Sequence, residues 1–179
     1  QSAGNTILFT ANGKESGEDP YFLHYYSVSL NGGTPKLLNS GDFDHQITTS
    51  ESGNYFVNNS SRVNTTPESN LYAANGRLVM KLEKADLSAL FAAGYKFPEP
   101  FTVKAGDGIT DLYGVMYKPF DFDSTKTYPL VEYVYPGPQT EAVNKSFGCS
   151  MVRIDRLAQM GFIVITVSNR GGHTARSQW

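Results

Sequence analysis

Two short loops contain the residues of this chain whose types and spacing best suit chemistry. The first is Tyr135-Pro136-Gly137-Pro138, and the second is the Asn-Arg-Gly-Gly-His stretch at 169–173. A glycine between two prolines predicts a rigid turn, which would fix the direction of the Tyr135 hydroxyl, while paired glycines allow positive φ or close backbone approach. The phenol of Tyr135, the guanidinium of Arg170 and the imidazole of His173 are therefore the candidates for a functional site.

Each candidate also has a structural explanation, and the residues alone leave both open. Tyr135 can be a core or interface aromatic whose hydroxyl has one partner. Arg170 can be a clamp on backbone carbonyls or on a nearby carboxylate. His173 follows the paired glycines, but no motif pairs it with a carboxylate.

The other histidines and the acidic pairs are predicted to be structural. His24 and His45 lie next to strand residues and are expected to be packing or turn partners. Acidic residues in turns are explained by capping of backbone N–H groups, which applies to Glu18-Asp19 and to Asp42 and Asp44. No metal-ligand spacing occurs, so no metal or other cofactor is expected. Cys149 is the only cysteine, which excludes an internal disulfide.

The two candidate loops follow two predicted strands. Tyr128–Tyr135 and Phe162–Val167 have the apolar character of strands, and apolar residues near 151–160 have helical spacing, with Val152, Ile154, Leu157, Ala158 and Met160 mainly on one face. This strand–helix–strand order predicts a parallel crossover, as in an α/β sheet covered on both faces. The carboxyl ends of parallel strands meet at one edge, so both loops are expected at that edge.

The chain before this crossover has a different pattern. From Asn5 to about Leu82, short aromatic and β-branched runs alternate with turn signals, which predicts antiparallel strands. A weak repeat with a period of about 44 residues relates Tyr26–Leu38 to Leu71–Leu82, close to the period of a four-stranded propeller blade. The full blade would consist of HQITTS, YFVNNSSRV, NLYAANG and LVMKLE, preceded by the partial blade ILFTANG, HYYSVSL and PKLL. An ordinary β-meander fits these residues equally well.

Between the two parts, Lys84–Ala93 has helical spacing with Gly94 as its stop. Phe101–Lys104 and Leu112–Tyr117 flank a turn of the hairpin type at 105–108. The sequence thus divides into blades at 1–83, a helix and connector at 84–100, and the start of an α/β domain at 101–179.

The composition excludes several classes of protein. The net charge is −2, with 15 basic residues dispersed among 17 acidic ones, which argues against a nucleic-acid partner. No apolar run approaches the roughly 18–20 residues of a membrane helix, so no membrane contact is expected from this segment.

The stretch YPLVEYVYPGPQTE (Tyr128–Glu141), followed about thirty residues later by the NRGG loop, resembles the prolyl oligopeptidase family of serine peptidases, in its dipeptidyl peptidase IV-like branch. The resemblance implies a β-propeller that precedes an α/β-hydrolase domain, with this chain spanning their junction. It also implies that Tyr135, in the Tyr-x-Gly-Pro segment, supplies a donor to the oxyanion hole. Arg170 and His173 are candidate substrate contacts because of their place in the second loop.

The same resemblance implies a serine nucleophile in a Gly-x-Ser-x-Gly turn, followed by Asp and His. No such motif occurs between Gln1 and Trp179, so this chain is expected to be an internal segment without the triad and inactive by itself. The parent is expected to be a periplasmic or secreted exopeptidase, with homodimers among its possible states, that takes N-terminal dipeptides from peptide substrates, cleavage after proline being one option. The alternative is a non-catalytic propeller–hydrolase homologue that acts in binding or adhesion.

Overall fold

The computed structural model describes residues 2–3, 5–134, 142–148 and 154–169. The chain divides into two compact units, unit 1 comprising 1–62 and 66–85 and unit 2 comprising 63–65 and 86–179. The described strands and helices, in chain order, are β1 (Ser2–Ala3), β2 (Thr6–Ala11), β3 (His24–Ser29), β4 (Lys36–Leu37), β5 (Asp44–Thr49), β6 (Tyr55–Ser61), β7 (Glu68–Ala73), β8 (Leu78–Lys84), α1 (Ser88–Ala92), β9 (Glu99–Lys104), β10 (Asp111–Tyr117), β11 (Leu130–Glu132), α2 (Asp155–Ala158) and β12 (Ile163–Val167).

Unit 1 consists of two four-stranded antiparallel sheets, in the orders β1-β2-β3-β4 and β5-β6-β7-β8. Within each sheet, every strand pairs with its neighbour in sequence. At the β7–β8 turn, Gly76 has a φ of 86°, which only glycine adopts without strain. The antiparallel strands predicted for this half are confirmed. The sequence repeat corresponds to the third and fourth strands of each sheet, since β3 begins at His24 and β7 at Glu68.

Aromatic rings form the core of unit 1. Phe56 is 1% exposed and stacks on Tyr72 at a centroid distance of 5.2 Å, and it meets the edge of Tyr25 at 4.9 Å. Leu8 and Leu38 complete this buried cluster. The packed rings therefore join strands of both sheets into one core.

Unit 2 contains one four-stranded sheet, in the order β11-β12-β10-β9. The β9–β10 hairpin is confirmed, with its turn held by Asp107, whose Oδ1 accepts the N–H groups of Ile109 and Thr110 at 2.9 Å. The crossover is also confirmed, because β11 and β12 pair in parallel. The described sheet is mixed, however, since β12 is antiparallel to β10.

The helix after unit 1 is shorter than the predicted span 84–93. Lys84 ends β8, and Ala85 continues the sheet pairing by donating its N–H to the Pro67 carbonyl at 3.0 Å. The helix begins only at Ser88, whose N–H is bonded to the Asp86 carboxylate at 2.9 Å. Gly94, with a φ of 92°, ends the helical turn as predicted.

The second helix has the predicted core face only in part. Ala158 is fully buried, and Ile154 and Leu157 pack against the core of unit 2. Met160 is 75% exposed, contrary to the prediction, because the helix ends at Ala158 and a turn at Gly161 redirects the chain. Val152 lies outside the described residues.

An aliphatic core supports the sheet of unit 2. Its centre contains Val115, Val143, Ala158 and Val164, each no more than 4% exposed. Gly114 lies in β10 directly opposite Phe101 of β9. A Cβ at Gly114 would lie 2.7 Å from the Thr166 carbonyl oxygen, so only glycine allows this close approach of strands and ring.

Candidate functional site

The edge of the unit 2 sheet at which β11 and β12 end is the place where the sequence predicts the site. The two strands pair in register, with Leu130 opposite Ile163 and Glu132 opposite Ile165. The pairing continues past β11, because the Tyr133 N–H donates to the Ile165 carbonyl at 2.9 Å. The carboxyl ends of both strands therefore meet at one edge, the usual position for ligand sites in parallel strand pairs.

Ser168 fixes the chain where it leaves β12. Its N–H donates to the Tyr113 carbonyl at 2.9 Å, and its Oγ accepts the Tyr113 N–H at 3.1 Å. Ser168 is 2% exposed, so its side of both bonds is shielded from water. This pair extends the β10–β12 contact beyond the last ladder partners, Gly114 and Val167. Sequence reasoning missed it, because 55 residues separate the two partners and no local signal relates them.

A cation also reaches this edge. The segment 142–148 is anchored by Val143, which is 4% exposed and belongs to the core. From it, Lys145 places its Nζ 5.8 Å from the centroid of the Tyr113 ring. The residue that bonds Ser168 is thus also contacted by a positive charge from another segment.

The three predicted site residues, Tyr135, Arg170 and His173, lie outside the described residues, as does Cys149. The structure places the strand ends that lead to the two loops: Val134 is the last described residue before the first loop, and Asn169 is the one described residue of the second. The roles of the three side chains stay predictions.

Unit 2 also has a cavity of about 190 Å³, at a different edge of the sheet. Aromatic rings, including Tyr95, Phe97 and Phe120, line it together with Lys118 and Asp155. Met116 and Tyr117 of β10 also line the cavity. Tyr117 pairs with Val164, near the amino-terminal end of β12. Because β11 and β12 begin at this edge, the cavity lies opposite the predicted site.

The expectation that His24 and His45 are packing or turn partners is confirmed. Both are buried, and their ring centroids are 4.9 Å apart. His45 has its Nε2 3.2 Å from the Gly41 carbonyl and its Nδ1 3.1 Å from Asn58 Oδ1. His24 Nε2 lies 2.7 Å from the Glu18 carboxylate.

The expectation for the acidic pairs holds for Asp19 and is wrong in part for the others. Asp19 Oδ1 accepts the Tyr21 N–H at 2.9 Å, a local turn cap. Glu18 instead binds a buried histidine, Asp42 pairs with Arg62, and Asp44 begins β5 and accepts the Leu23 N–H from 21 residues away. These three partners come together only through the sheet packing of unit 1.

Burial changes the acid–base behaviour of this cluster. It lowers the pKa of His45 to about 4, an effect opposed by the bond to the Gly41 carbonyl and reinforced by the charge of His24. Burial, together with the bond to Glu15 at 2.7 Å, raises the pKa of the Tyr26 phenol. Neither group is poised to exchange protons near neutral pH, so the geometry suits a structural cluster better than acid–base catalysis.

The described residues contain no group of three or more His, Cys, Asp or Glu side chains arranged to hold a metal ion. In the same part of the chain, neither helix has the length and apolar character needed to cross a bilayer.

These features define the class of protein: a mostly β-sheet chain whose first half has the successive four-stranded antiparallel sheets found in β-propeller blades. The family model of the dipeptidyl peptidase IV N-terminal region matches residues 1–67. Human dipeptidyl peptidase 8 is 31% identical over 86% of this chain, and an Arthroderma gypseum protein assigned as dipeptidyl-aminopeptidase B is 31% identical over 93% of it.

A solved structure of a similar protein points to the same family. A Bacteroides ovatus protein assigned as a dipeptidyl aminopeptidase IV matches 96% of this chain, with a TM-score of 0.72 and 28% identity. The chain belongs to the dipeptidyl peptidase IV-like family. It spans 18% of the length of each of the two curated relatives and 24% of the solved chain.

Proposed function

We propose that this chain is part of a serine exopeptidase that removes N-terminal dipeptides from peptides through an acyl-enzyme. The observation that carries the proposal is the likeness to dipeptidyl peptidases along most of the chain, which includes both units. A relative that matched unit 1 alone would support only a shared propeller, because one fold serves many functions.

Under this proposal, unit 2 is the beginning of an α/β-hydrolase domain. The parallel pairing of β11 and β12 and the presence of α2 between them in sequence support it. The β9–β10 hairpin would then be the antiparallel start of that sheet, which explains why the described sheet is mixed.

In the proposed mechanism, the Tyr135 hydroxyl donates a hydrogen bond to the scissile carbonyl oxygen. Negative charge grows on that oxygen as the acyl carbon becomes tetrahedral, and an oriented donor stabilises this charge more than it stabilises the ground state. The proline-flanked Gly137 would restrict the chain after Tyr135 and so limit the hydroxyl to few positions.

We assign Arg170 and His173 to substrate contacts in the loop that follows β12. The Ser168–Tyr113 bonds support this, because they hold the start of the loop at the edge where β11 also ends. The nucleophile, aspartate and histidine of the triad are proposed to lie outside the 179 residues, since no Gly-x-Ser-x-Gly occurs within them.

Three properties of the parent belong to the same proposal. It would act in the periplasm or outside the cell, and it would take peptides with a free amino terminus, with proline before the cleaved bond as one preference. It would work as a homodimer. These follow from the family resemblance at the Tyr-Pro-Gly-Pro and NRGG segments.

The decisive experiment combines a fluorophosphonate probe with two tyrosine variants of the intact protein. The probe should label a serine covalently. Tyr135→Phe should reduce kcat/KM for a dipeptidyl substrate by roughly a hundredfold to a thousandfold, because it removes one oxyanion donor. Tyr133→Phe is the matched control: Tyr133 lies two residues earlier and is 45% exposed, so its loss should leave turnover nearly unchanged.

Two results would contradict the proposal at different points. Normal turnover by Tyr135→Phe would remove Tyr135 from the mechanism while leaving the peptidase intact. Folded protein that neither reacts with the probe nor cleaves dipeptidyl substrates would instead identify a binding homologue without a working triad.

A further inference from the structure

The two sheets of unit 1 meet at a pair of buried imidazoles. His24 belongs to β3 and His45 to β5, the two rings are tilted by 50°, and their exposures are 2% and 1%. Two hydrogen bonds accompany the ring contact. The backbone N–H of His45 donates to the Leu23 carbonyl, and the backbone N–H of Leu23 donates to Asp44 Oδ1, both at 3.1 Å. The contact between the first and second sheets is thus built around titratable rings.

Each ring is held by different partners. Both nitrogens of His45 face protein oxygens, the Gly41 carbonyl and Asn58 Oδ1. His24 has one nitrogen on the Glu18 carboxylate, whereas its Nδ1 is buried and has no partner among the described residues. The pair is therefore incompletely satisfied, and water is excluded from at least one ring nitrogen.

The charged groups around the pair are distributed unequally. On the β3 side, Glu15 binds the Tyr26 hydroxyl, and Lys14 lies 5.8 Å from the centre of the Tyr26 ring, which contacts His24. The charged residues that contact the pair or its immediate neighbours are Lys14, Glu15, Glu18, Asp42, Asp44 and Arg62.

Only one of these carboxylates, Glu18, bonds an imidazole within the described part of the chain, and it bonds His24. On the β5 side, Asp44 is bonded to a backbone N–H, and Asp42 is paired with Arg62, which lies over the Phe43 ring that contacts His45. Protonated His45 would donate to both of its oxygen partners, but it would carry a charge shielded from water, with no bonded carboxylate, beside His24.

We propose that the His24–His45 pair is an acid-sensitive joint between the two sheets of unit 1, which opens when His45 takes up one proton from solvent. The joint also holds the loop between β2 and β3, because Glu18 and Glu15 of that loop are bonded to His24 and Tyr26. Opening is expected to release this loop together with the β3–β5 contact. The inference concerns unit 1 alone and does not depend on the peptidase proposal.

The direction of the pH effect follows from linkage. The pKa of His45 is about 4 in the folded joint, against an ordinary value of 6.5, so the closed joint binds fewer protons than the open one. The closed state is thus fully stable above about pH 6.5 and loses stability as the pH falls from there towards 4. The opening constant should rise by roughly tenfold for each pH unit in this window, a few hundredfold in total.

Hydrogen exchange of the intact protein between pH 7.5 and 4.5, corrected for the pH dependence of chemical exchange, tests the joint. Amides of residues 23–26 and 44–49 should lose protection below about pH 6.5, while those of the β9–β10 hairpin keep theirs. Unchanged protection at the joint, or equal loss in the hairpin, would overturn the proposal, because the first denies the effect and the second indicates general acid unfolding.

Two variants separate the proton on His45 from the packing of its ring. His45→Gln should keep a polar side chain and remove the pH dependence of exchange at residues 44–49. His24→Gln should end that dependence at a higher pH and reduce its total size, because it removes the neighbouring charge that lowers the pKa of His45. If His45→Gln does not fold, His24→Gln and the wild-type profile still decide: the full wild-type pH range and total loss of protection in His24→Gln would contradict the pair as the source.

Discussion

Unit 1 and unit 2 are both built on four-stranded sheets, but they assemble them differently. Within each sheet of unit 1, each strand pairs with the next strand in sequence. In unit 2, β12 lies between β11 and β10, and its partner residues in β10 are about fifty positions earlier, as for Gly114 and Val167. Local pairing can be anticipated from turn residues, whereas the position of β12 depends on contacts that close a long loop.

The interiors of the two units differ as well. Unit 2 buries mainly aliphatic side chains, such as Val115 and Val164, with Tyr117, Thr166 and Ser168 beside them. Unit 1 buries aromatic rings together with polar groups, among them His24, His45, Asn39 and Asn58. Each polar group in such a core needs a hydrogen-bond partner. The stability of unit 1 therefore depends more on the exact positions of side chains and on pH.

The largest expected effect concerns the aromatic core of unit 1. Phe56→Ala should lower the free energy of unfolding by about 3–5 kcal/mol, because it removes a fully buried ring and leaves a cavity. Phe56→Leu keeps most of the apolar volume and loses the ring contacts with Tyr25 and Tyr72, which are worth about 0.5–1.5 kcal/mol per pair. Denaturant titration measures both changes.

Tyr55→Ala is the matched control for Phe56, since Tyr55 precedes it in β6 and is 47% exposed. Tyr55→Ala should lower the free energy of unfolding far less than Phe56→Ala does. Equal losses at the two positions would mean that burial of the ring does not distinguish them, and the contrast between the two cores would fail.

The next largest effect concerns unit 2, where strand packing rather than ring packing is tight. Gly114→Ala should destabilise the protein by about 1–3 kcal/mol, because the new methyl group meets the Phe101 ring and the Thr166 carbonyl. Adding Phe101→Leu to this variant should restore only part of the lost stability. The smaller side chain removes the clash with the ring, but the Thr166 carbonyl belongs to the backbone of β12 and stays in place. Thermal or denaturant unfolding would quantify both steps.

Gly106→Ala provides the comparison, because Gly106 lies in the exposed β9–β10 turn and a Cβ there meets no atom within 4 Å. Its stability should change by no more than about 0.5 kcal/mol. A stable Gly114→Ala protein would show that β10 and β12 can separate without cost.

The same contrast explains what the sequence could predict. Strands of unit 1 followed from turn signals such as Asn75-Gly76, and the blade repeat followed from their regular spacing. The β11–β12 pairing also followed from a local pattern of strand, helix and strand. In these cases, turn residues and the pattern of neighbouring apolar residues were enough to predict the elements.

Prediction from the sequence was incomplete where one group depends on a distant partner. Helical spacing predicts that Lys84 begins a helix, but pairing with β7 keeps it in β8. Glu18 looked like a turn residue, and its histidine partner appears only when β3 folds against the β2–β3 loop. For Tyr135, Arg170 and His173, the sequence predicts the edge of the sheet and the resemblance predicts their roles, and these roles await the variants proposed above.

The smallest expected effect compares one ion pair in each unit. In unit 2, Lys118 Nζ lies 2.7 and 2.8 Å from the two Glu99 oxygens and 4.9 Å from the centre of the Phe122 ring. In unit 1, Lys84 Nζ lies 2.8 Å from Glu68, and its side chain is 65% exposed, against 26% for Lys118. The ring and the lower exposure should make the Lys118 pair the stronger one.

Double-mutant cycles with Lys118→Met and Glu99→Gln, and with Lys84→Met and Glu68→Gln, measure this difference. We expect a coupling of about 0.5–1 kcal/mol for the first pair and close to zero for the second, because solvent screens exposed charges. Added salt should reduce the first coupling only in part, since the ring contact excludes some of the screening ions. Equal couplings at every salt concentration would mean that the ring and the partial burial of Lys118 add nothing to an ordinary surface pair.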